Sequence, residues 1–252
     1  MLSYRNSTAD VKASGTDTAV IPIGATEQFG PHLPMHIDSL IVGQCAEAYG
    51  KALGAYVLPI LPFNTSEEHA SLKGTVTISP AVIMSLLEEV VVNLNRQGFR
   101  KFVICNGHGG AYWEPAFVKQ MNYKYPDMLV AALHYRDREA QAAGKKAAGL
   151  EELKEMHGGL LSVCTAMWLC PELMTLESMG SDVPDEHLKF IDAVPWEKLT
   201  ENGSGNWGKF TAGEYTKEEL AEKGEAFWTA FLNKKCDGLK EFIEEAYRRK
   251  ME

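Results

Sequence analysis

The 252-residue sequence predicts an α/β fold, a three-layer α/β/α sandwich in which a mostly parallel β-sheet lies between two layers of helices. Short apolar runs of strand length alternate with segments of helical periodicity, and this alternation is typical of parallel sheets covered on both faces. Hydrophobic residues make up 45% of the chain, which is enough to build a core at this length. Because no repeat or linker divides the sequence, we expect one domain over residues 1–252.

Four apolar runs are predicted as the strands of this sheet. They cover residues 18–24, 55–61, 101–105 and 128–133. Each has the composition and length of a buried strand. In a parallel sheet the loops that leave the carboxyl ends of the strands line the ligand crevice, so we expect functional side chains directly after these runs.

The intervening segments carry apolar residues at helical spacing and are predicted as helices. Asp38 is expected as the N-cap of the first, and Ser79 as the N-cap of the second, with Pro80 in its first turn. The predicted helical segments are residues 39–53, 80–97, 113–123, 138–155, 160–169 and 216–247. Residues 171–213 are predicted to be irregular, because they show little periodicity and contain a glycine-rich stretch.

Composition excludes several classes of function. The net charge is −9, so the chain offers no basic stripe for the phosphates of a nucleic acid. No apolar run approaches the roughly 20 residues that span a bilayer, and the N-terminal residues lack the apolar segment of a signal peptide, so we expect a cytoplasmic protein without membrane contact. The five cysteines are widely spaced without a CxxC pair, which favours reduced thiols over a zinc–cysteine site.

Three side chains near the predicted strand ends are candidate metal ligands. They are Glu27, Asp38 and His108. A mixed set of oxygen and nitrogen ligands suits zinc, manganese or iron. The alternative is structural, with Asp38 as a helix cap, Glu27 as a surface acid and His108 as a loop histidine.

Three motifs, in this order, resemble the creatininase (creatinine amidohydrolase) family. They are Glu-Gln-x-Gly-Pro-His-Leu-Pro from Glu27, with an aspartate nearby, Asn-Gly-His-Gly-Gly from Asn106, and His-Gly-Gly from His157. The resemblance implies a creatininase-like three-layer fold, a hydrolase with one or two divalent metal ions, and a ring-like homohexamer. It also implies Glu27, Asp38 and His108 as metal ligands and His157 as the residue that moves a proton.

The sequence departs from the family pattern where a second metal ion would bind. Phe29 stands where relatives usually carry a histidine, and Gly110 stands where creatininase proper has a glutamate. Relatives also carry acids at the positions of Met156 and Ser162. Since several second-site ligands are missing together, we expect one zinc or manganese ion, with iron as a further choice, rather than two.

Three further histidines have predicted roles near this site. If the segment before Asp38 is extended, His36 points the same way as Asp38 and could replace the missing imidazole; a satisfied loop histidine or a substrate contact are the alternatives. His32, within the first motif, is expected to form hydrogen bonds around the site and its substrate rather than to bind metal. His69 opens a His-x-x-x-x-Gly-Thr pattern similar to one in the family, and is either a substrate contact or a surface residue.

Tyr135, Arg136 and Lys154 lie near family positions whose aromatic side chains close over the substrate in creatininase. Polar side chains at these positions favour a hydroxylated or anionic substrate. The alternative is that they are charged or polar residues on an exposed helix.

We therefore expect a metal-dependent hydrolase that opens a small cyclic polar substrate, with the C–N bond of a cyclic amide as the first choice. The alternative is the C–C bond of a cyclic diketone, such as an oxidised inositol of the 3-dehydro-scyllo-inosose type, whose leaving enolate is stabilised by the second carbonyl. A metal-free binding or assembly protein with a degraded site is a further alternative. A peptidase would need a long open groove, which the sequence does not reveal.

Overall fold

The structure is a computed structural model that describes residues 1–134 and 136–252. Its main sheet has four strands, β1 (Thr18–Ile23), β2 (Tyr56–Val57), β3 (Lys101–Asn106) and β4 (Leu129–His134). They lie in the order β2-β1-β3-β4, and every pairing is parallel. The predicted parallel sheet is therefore confirmed.

Helices cover both faces of this sheet. The α-helices are α1 (Thr8–Ser14), α2 (Ile37–Leu53), α3 (Pro80–Arg96), α4 (Glu114–Lys124), α5 (Arg138–Ala148), α6 (Leu160–Leu169), α7 (Lys217–Cys236) and α8 (Leu239–Met251). Helices α3 and α4 pack on one face, and α2 and α5 to α8 lie on the other. Within the described ranges, no helix combines the length and apolar character needed to cross a bilayer.

Successive side chains of the central strands point to opposite faces and so supply two cores. Val20 and Val103 pack on the side of α2, whereas Ile21 and Ile104 pack on the side of α3 and α4. Every residue of β1 and β3 is buried. This explains why both strands are continuous apolar runs in the sequence rather than alternating ones.

Strand β2 is shorter than the predicted run over residues 55–61. Pro59 has no N–H to donate, and regular pairing stops after Val57. One further bridge then joins Ile23 to Leu61. Proline therefore reduces the predicted strand to two paired residues and one bridge.

Two predicted helix boundaries are wrong. Helix α2 begins at Ile37, so Asp38 lies in its first turn, and His36 occupies the cap position without a side-chain hydrogen bond. The helix predicted over residues 138–155 ends at Ala148. Gly149 follows with a φ of 65°, a left-handed conformation that ends helices and that glycine adopts without strain.

The C-terminal part also differs from the prediction. The predicted helix over residues 216–247 is two helices, α7 and α8, because Gly238 adopts a φ of 64° between them. The region over residues 171–213 contains a short antiparallel pair, formed by β5 (Met179–Ser181) and β6 (Gly208–Phe210). A small separate core stabilises this region; its buried members are Val183, Trp196 and Leu199.

The register of the sheet determines where the functional loops lie. Ile23, at the end of β1, pairs with Asn106, at the end of β3, and Asn106 pairs with His134 at the end of β4. The loops over residues 24–36 and 107–113 therefore leave the same edge of the sheet side by side.

Candidate metal centre

The three predicted metal ligands come together at this edge. One ligand atom each from Glu27, Asp38 and His108 lie within 4.8 Å of one another. Only 1%, 5% and 2% of these residues, respectively, is exposed. Glu27 Oε2 lies 2.6 Å from His108 Nε2. Glu27 is thus a buried site residue and not a surface acid.

The loop after β3 fixes the orientation of the His108 ring. The backbone N–H of His108 donates to Asn106 Oδ1 at 2.9 Å, and the N–H of Gly110 donates to His108 Nδ1 at 3.0 Å. Because Nδ1 is occupied, Nε2 is the nitrogen that faces Glu27. Gly110 itself has no room for a side chain, since a Cβ there would lie 2.2 Å from the carbonyl oxygen of Thr65.

Two buried carboxyl groups beside one imidazole form a donor set that could hold a cation. Burial opposes ionisation of Glu27, but the charge of His108 and its hydrogen bond hold the pKa of Glu27 well below its usual range. The pKa of Asp38 is raised by burial and by the neighbouring Glu27 carboxylate. Asp38 Oδ2 is buried and finds no hydrogen-bond partner among the described residues. A divalent cation would bind that oxygen and balance the negative charge of both acids. The donor set therefore fits a metal ion.

His157 reaches the same cluster from the loop before α6. Its Nε2–H donates to the carbonyl oxygen of Gln28 at 2.7 Å, which leaves Nδ1, 3.7 Å from Glu27 Oε1, with a free lone pair. Burial lowers the pKa of His157 despite the opposing effect of Glu27, so the ring is neutral at pH 7. Its backbone pairs with that of Trp207 in both directions, at 3.0 and 2.9 Å. The structure therefore places an imidazole with one unbonded nitrogen beside the cluster.

Two other rings stack on His157. The Phe29 centroid lies 4.3 Å from the His157 centroid, and the His69 centroid lies 4.4 Å from it. His69 is only 1% exposed, so it is not a surface residue, and its Nδ1 accepts a hydrogen bond from Gln28 Nε2 at 3.2 Å. Atoms of Glu27, His69 and His157 also lie within 4.8 Å of one another. Phe29, at the position of a family ligand, thus packs against the base.

The structure does not bring His36 or His32 into either cluster. His36 is the N-cap residue of α2, with φ −111° and ψ 24°, and Asp38 lies in the first turn of the helix, so the backbone between them is not the extended one that would direct both side chains the same way. The extended segment assumed for this pair is wrong. His32 Nε2 lies 3.7 Å from Oε2 of the largely exposed Glu177.

A cavity of about 730 Å³ opens over the metal-ligand cluster. Its described lining includes acidic, basic and aromatic side chains, among them Glu27, Phe29, Asp38, Glu68, His69, His108, Arg136, Arg138, Gln141, Lys145, Glu155, His157, Ser162 and Trp196. Arg136, which is predicted as a substrate contact, therefore lines the cavity.

The other two predicted wall residues are not part of this described lining. Lys154 is exposed in the segment after α5, because that helix ends at Ala148, and Lys145 of α5 faces the cavity instead. Tyr135 lies outside the described residues.

Gln28 and Trp196 are site residues that sequence reasoning missed. The Gln28 amide donates to His69 Nδ1 and, at 3.3 Å, to the carbonyl oxygen of Gly205, and so joins three loops. Its position inside the first motif was a usable signal. Trp196 contacts His69 edge-on, with centroids 5.2 Å apart. It comes from the region predicted as irregular, where no sequence pattern indicated its position.

The sequence and the fold are similar to those of several known proteins. The model of the creatininase family, described as creatinine amidohydrolase, matches residues 5–238. Over 251 residues the chain is 24% identical to the creatinine amidohydrolase of Pseudomonas putida, with 91% of each chain covered. Over 164 residues it is 26% identical to the 3-dehydro-scyllo-inosose hydrolase of Thermotoga maritima. That match covers 64% of this chain and 53%, or about half, of the relative.

The fold is shared with a candidate creatinine amidohydrolase of Bacteroides fragilis. The crystal structure of that protein aligns with a TM-score of 0.76 at 25% identity, and 96% of each chain is covered. The predicted α/β fold is confirmed by this agreement, which extends over nearly the whole chain.

Proposed function

Because the chain belongs to the creatininase family of metal-dependent hydrolases, we propose that it opens a small cyclic substrate by hydrolysis next to a carbonyl group, with a cyclic amide C–N bond as the first choice. One observation carries this proposal: the buried cluster of Glu27, Asp38 and His108 and the neutral base His157 line the same cavity. Metal ligands and a base within reach of one carbonyl are what amide hydrolysis requires.

In this proposal Glu27, Asp38 and His108 would hold one zinc or manganese ion, with iron as a further choice. When bound, such an ion supplies Lewis acidity, which polarises a carbonyl group and makes water more acidic. We propose one ion rather than two, because Phe29 offers no ligand atom and Gly110 has no room for a carboxylate side chain.

His157 Nδ1 is the proton carrier of the proposed reaction. It takes a proton from the attacking water and gives a proton to the leaving nitrogen, so the ring returns to its neutral form. The hydrogen bond from Nε2–H to Gln28 holds the ring in the tautomer that keeps Nδ1 free. The stacked Phe29 ring restricts the orientations that His157 can adopt.

The second candidate reaction is cleavage of a C–C bond in a cyclic diketone. Two observations favour it: the 26% identity to the 3-dehydro-scyllo-inosose hydrolase and the polar side chains in the cavity lining, which suit a hydroxylated ring. His157 would then deliver its proton to carbon instead of nitrogen. The second carbonyl of the diketone would stabilise the leaving enolate.

Turnover assays on the metal-reconstituted protein separate these candidates. We expect hydrolysis of at least one cyclic amide from a panel of lactams and imides, measured beside a ketoinositol-type diketone. Turnover of the diketone alone would replace the C–N proposal by the C–C proposal. If the protein takes up essentially no zinc, manganese or iron, both hydrolase proposals fail and a metal-free binding protein remains.

Family membership also supports proposals about the oligomeric state, the cellular location and the partners of the protein. We propose a homo-oligomer, with a hexamer as the expected form, that acts on a small molecule in the cytoplasm without a nucleic-acid or membrane partner. Size-exclusion chromatography with light scattering measures the mass of the assembly. A monomeric mass would contradict the oligomer.

A further inference from the structure

Helix α5 turns one face to the cavity and packs another face against α7. The cavity-lining residues of this helix are Arg138, Gln141, Ala142 and Lys145, here called the α5 stripe. Their separation by three, four and seven positions places them on one side of the helix. On the other side, Gly144 lies so close to α7 that a Cβ would be 2.8 Å from the Phe227 ring. This contact fixes which side of α5 the cavity receives.

The two cations of the α5 stripe have no carboxylate partner. No ion pair within 4.0 Å involves Arg138 or Lys145 in the part of the chain that the structure describes, and Lys145 Nζ donates to the carbonyl oxygen of Leu153 at 2.5 Å. The acid next to Arg138 is already used, since Asp137 pairs with Lys235 of α7 at 3.0 Å. Positive charge therefore faces the cavity without a direct ion pair to a neighbouring acid.

A buried acceptor also lines the cavity, close enough to Lys145 to interact with it electrostatically. Glu155 Oε1 accepts the N–H of Leu161 at 2.9 Å, whereas Oε2 is buried and unpartnered among the described residues. Burial raises the pKa of Glu155 to about 7, so this acid only partly offsets the charge of Lys145 near neutral pH. An unpaired buried oxygen of this kind is satisfied when a ligand presents an N–H or O–H group to it.

The cavity is also larger than a single small ring needs. Pockets of about 300–1,000 Å³ hold drug-sized ligands, and this cavity measures about 730 Å³. It extends beyond the metal-ligand cluster to Thr165 of α6 and Trp228 of α7. A ring bound at the cluster therefore leaves room for a substituent beside the α5 stripe.

From these observations we propose that the α5 stripe binds a carboxylate carried by the substrate. The substrate class is then a cyclic amide or diketone with a carboxylate substituent. The planar Arg138 guanidinium matches a carboxylate in two parallel hydrogen bonds, and Lys145 adds a further charge-assisted bond. A phosphate dianion is less suited, because Glu155 lines the same cavity and interacts with Lys145, so it opposes a second negative charge. The position of the substrate ring at the metal-ligand cluster rests on the proposed function. The binding of a carboxylate by the α5 stripe does not.

Calorimetric titration of the metal-reconstituted protein tests this binding without requiring turnover. Two matched pairs of ligands serve as probes: 2-pyrrolidinone with 5-oxoproline, and hydantoin with hydantoin-5-acetate. We expect the carboxylated member of a pair to bind at least about tenfold more tightly, because charge-assisted hydrogen bonds are the stronger ones. The double variant Arg138→Gln, Lys145→Gln should lose this preference and keep its affinity for the neutral member. Lys146→Gln, exposed on the same helix and absent from the described cavity lining, is the matched control and should change neither affinity.

Four results would overturn the inference. The first two are equal affinities within both pairs and no measurable binding of either carboxylated ligand. The other two are a carboxylate preference that persists in the double variant, and tighter binding of inorganic phosphate than of the carboxylated ligands. Hydrolysis assays on the same four compounds keep the two proposals apart. A carboxylate preference without hydrolysis supports the α5 stripe as a carboxylate site and counts only against the proposed function.

Discussion

His108 and His157 approach the same carboxylate but in different ways. His108 Nε2 lies 2.6 Å from Glu27 Oε2, whereas His157 Nδ1 lies 3.7 Å from Oε1 and is oriented by a backbone carbonyl. The first geometry places the His108 nitrogen and the Glu27 oxygen where both could bind the same metal ion. The second leaves a lone pair on His157 Nδ1 free to accept a proton. This difference is why we propose His108 as a metal ligand and His157 as the base.

His157→Asn should keep its metal and lose turnover by a factor of about 10²–10⁴, the usual contribution of general acid–base catalysis. His108→Ala should lose the metal itself, because it removes the nitrogen ligand. Elemental analysis combined with an activity assay measures both effects. Equal metal loss in the two variants would show that His157 is a ligand instead.

Phe29→His should leave the metal stoichiometry at one ion. The new imidazole restores only one of the missing ligands, and the Thr65 carbonyl still blocks a side chain at position 110. Elemental analysis after reconstitution with excess zinc checks this expectation. A rise to two ions per chain would mean that Phe29 alone prevents second-site binding.

Glu114 supplies a pH dependence of stability away from the metal centre. It is 4% exposed, and burial raises its pKa from the ordinary 4.5 to about 7. The folded protein therefore binds this proton more tightly than the unfolded chain does. The contribution of Glu114 to the free energy of unfolding is full below pH 4.5 and is lost as pH rises towards about 7.

Glu114→Gln removes this pH-dependent loss. Relative to the wild type, the variant should gain stability between pH 5 and pH 8, by at most about 3 kcal/mol. Urea unfolding of both proteins at the two pH values measures the difference. If the difference in the free energy of unfolding between the two proteins is the same at both pH values, the raised pKa of Glu114 is contradicted.

The sequence was sufficient to predict Glu27, Asp38 and His108 as neighbours, because strand ends of a parallel sheet meet at one edge. His157 follows no strand of this sheet and was predicted only through the resemblance of its His-Gly-Gly motif to the family. The sequence was not sufficient for Lys145. Which face of α5 the cavity receives depends on contacts with α7, which lies far along the chain and leaves no local pattern.

The contact between helices α5 and α7 positions one wall of the cavity. Gly144→Ala should destabilise the fold by about 1–3 kcal/mol, because the added methyl group meets both the ring and the backbone of Phe227 at under 3.0 Å. Gly43→Ala in α2 is the matched control, since a Cβ there has only the tip of Ile60 nearby at 3.4 Å. Thermal unfolding compares the two, and equal melting temperatures would mean that α5 can shift without cost.

Long apolar elements were predictable and short ones were not. Strands β1 and β3 are buried on both faces, so hydrophobicity alone marks them in the sequence. Strands β5 and β6 have three residues each, and the partners lie on either side of a long irregular segment. Such pairing is decided by distant contacts rather than by periodicity, which is why this region was predicted as loop.

Metal binding should contribute to the folding stability of the entire protein. A ligand that binds only the folded protein stabilises it by about 4 kcal/mol at a concentration a thousandfold above its Kd. Chelation should therefore lower the melting temperature of the wild type. Asp38→Asn should abolish this response, because it removes a buried ligand of the cluster.

His36→Ala is the matched control for the chelation experiment, since His36 lies outside both ligand clusters. It should respond to chelation as the wild type does. A response lost to the same extent as in Asp38→Asn would identify His36 as a ligand.

The close approach of Gly110 to Thr65 sets the order in which this site could be redesigned. Asn64, directly before Thr65, accepts the indole N–H of Trp113 at 3.1 Å and donates to Asn106 at 3.2 Å. A glutamate at position 110 would displace a segment that also supports the end of β3. Protein engineering towards a second metal ion therefore starts with the backbone around Thr65, and the ligand side chains follow.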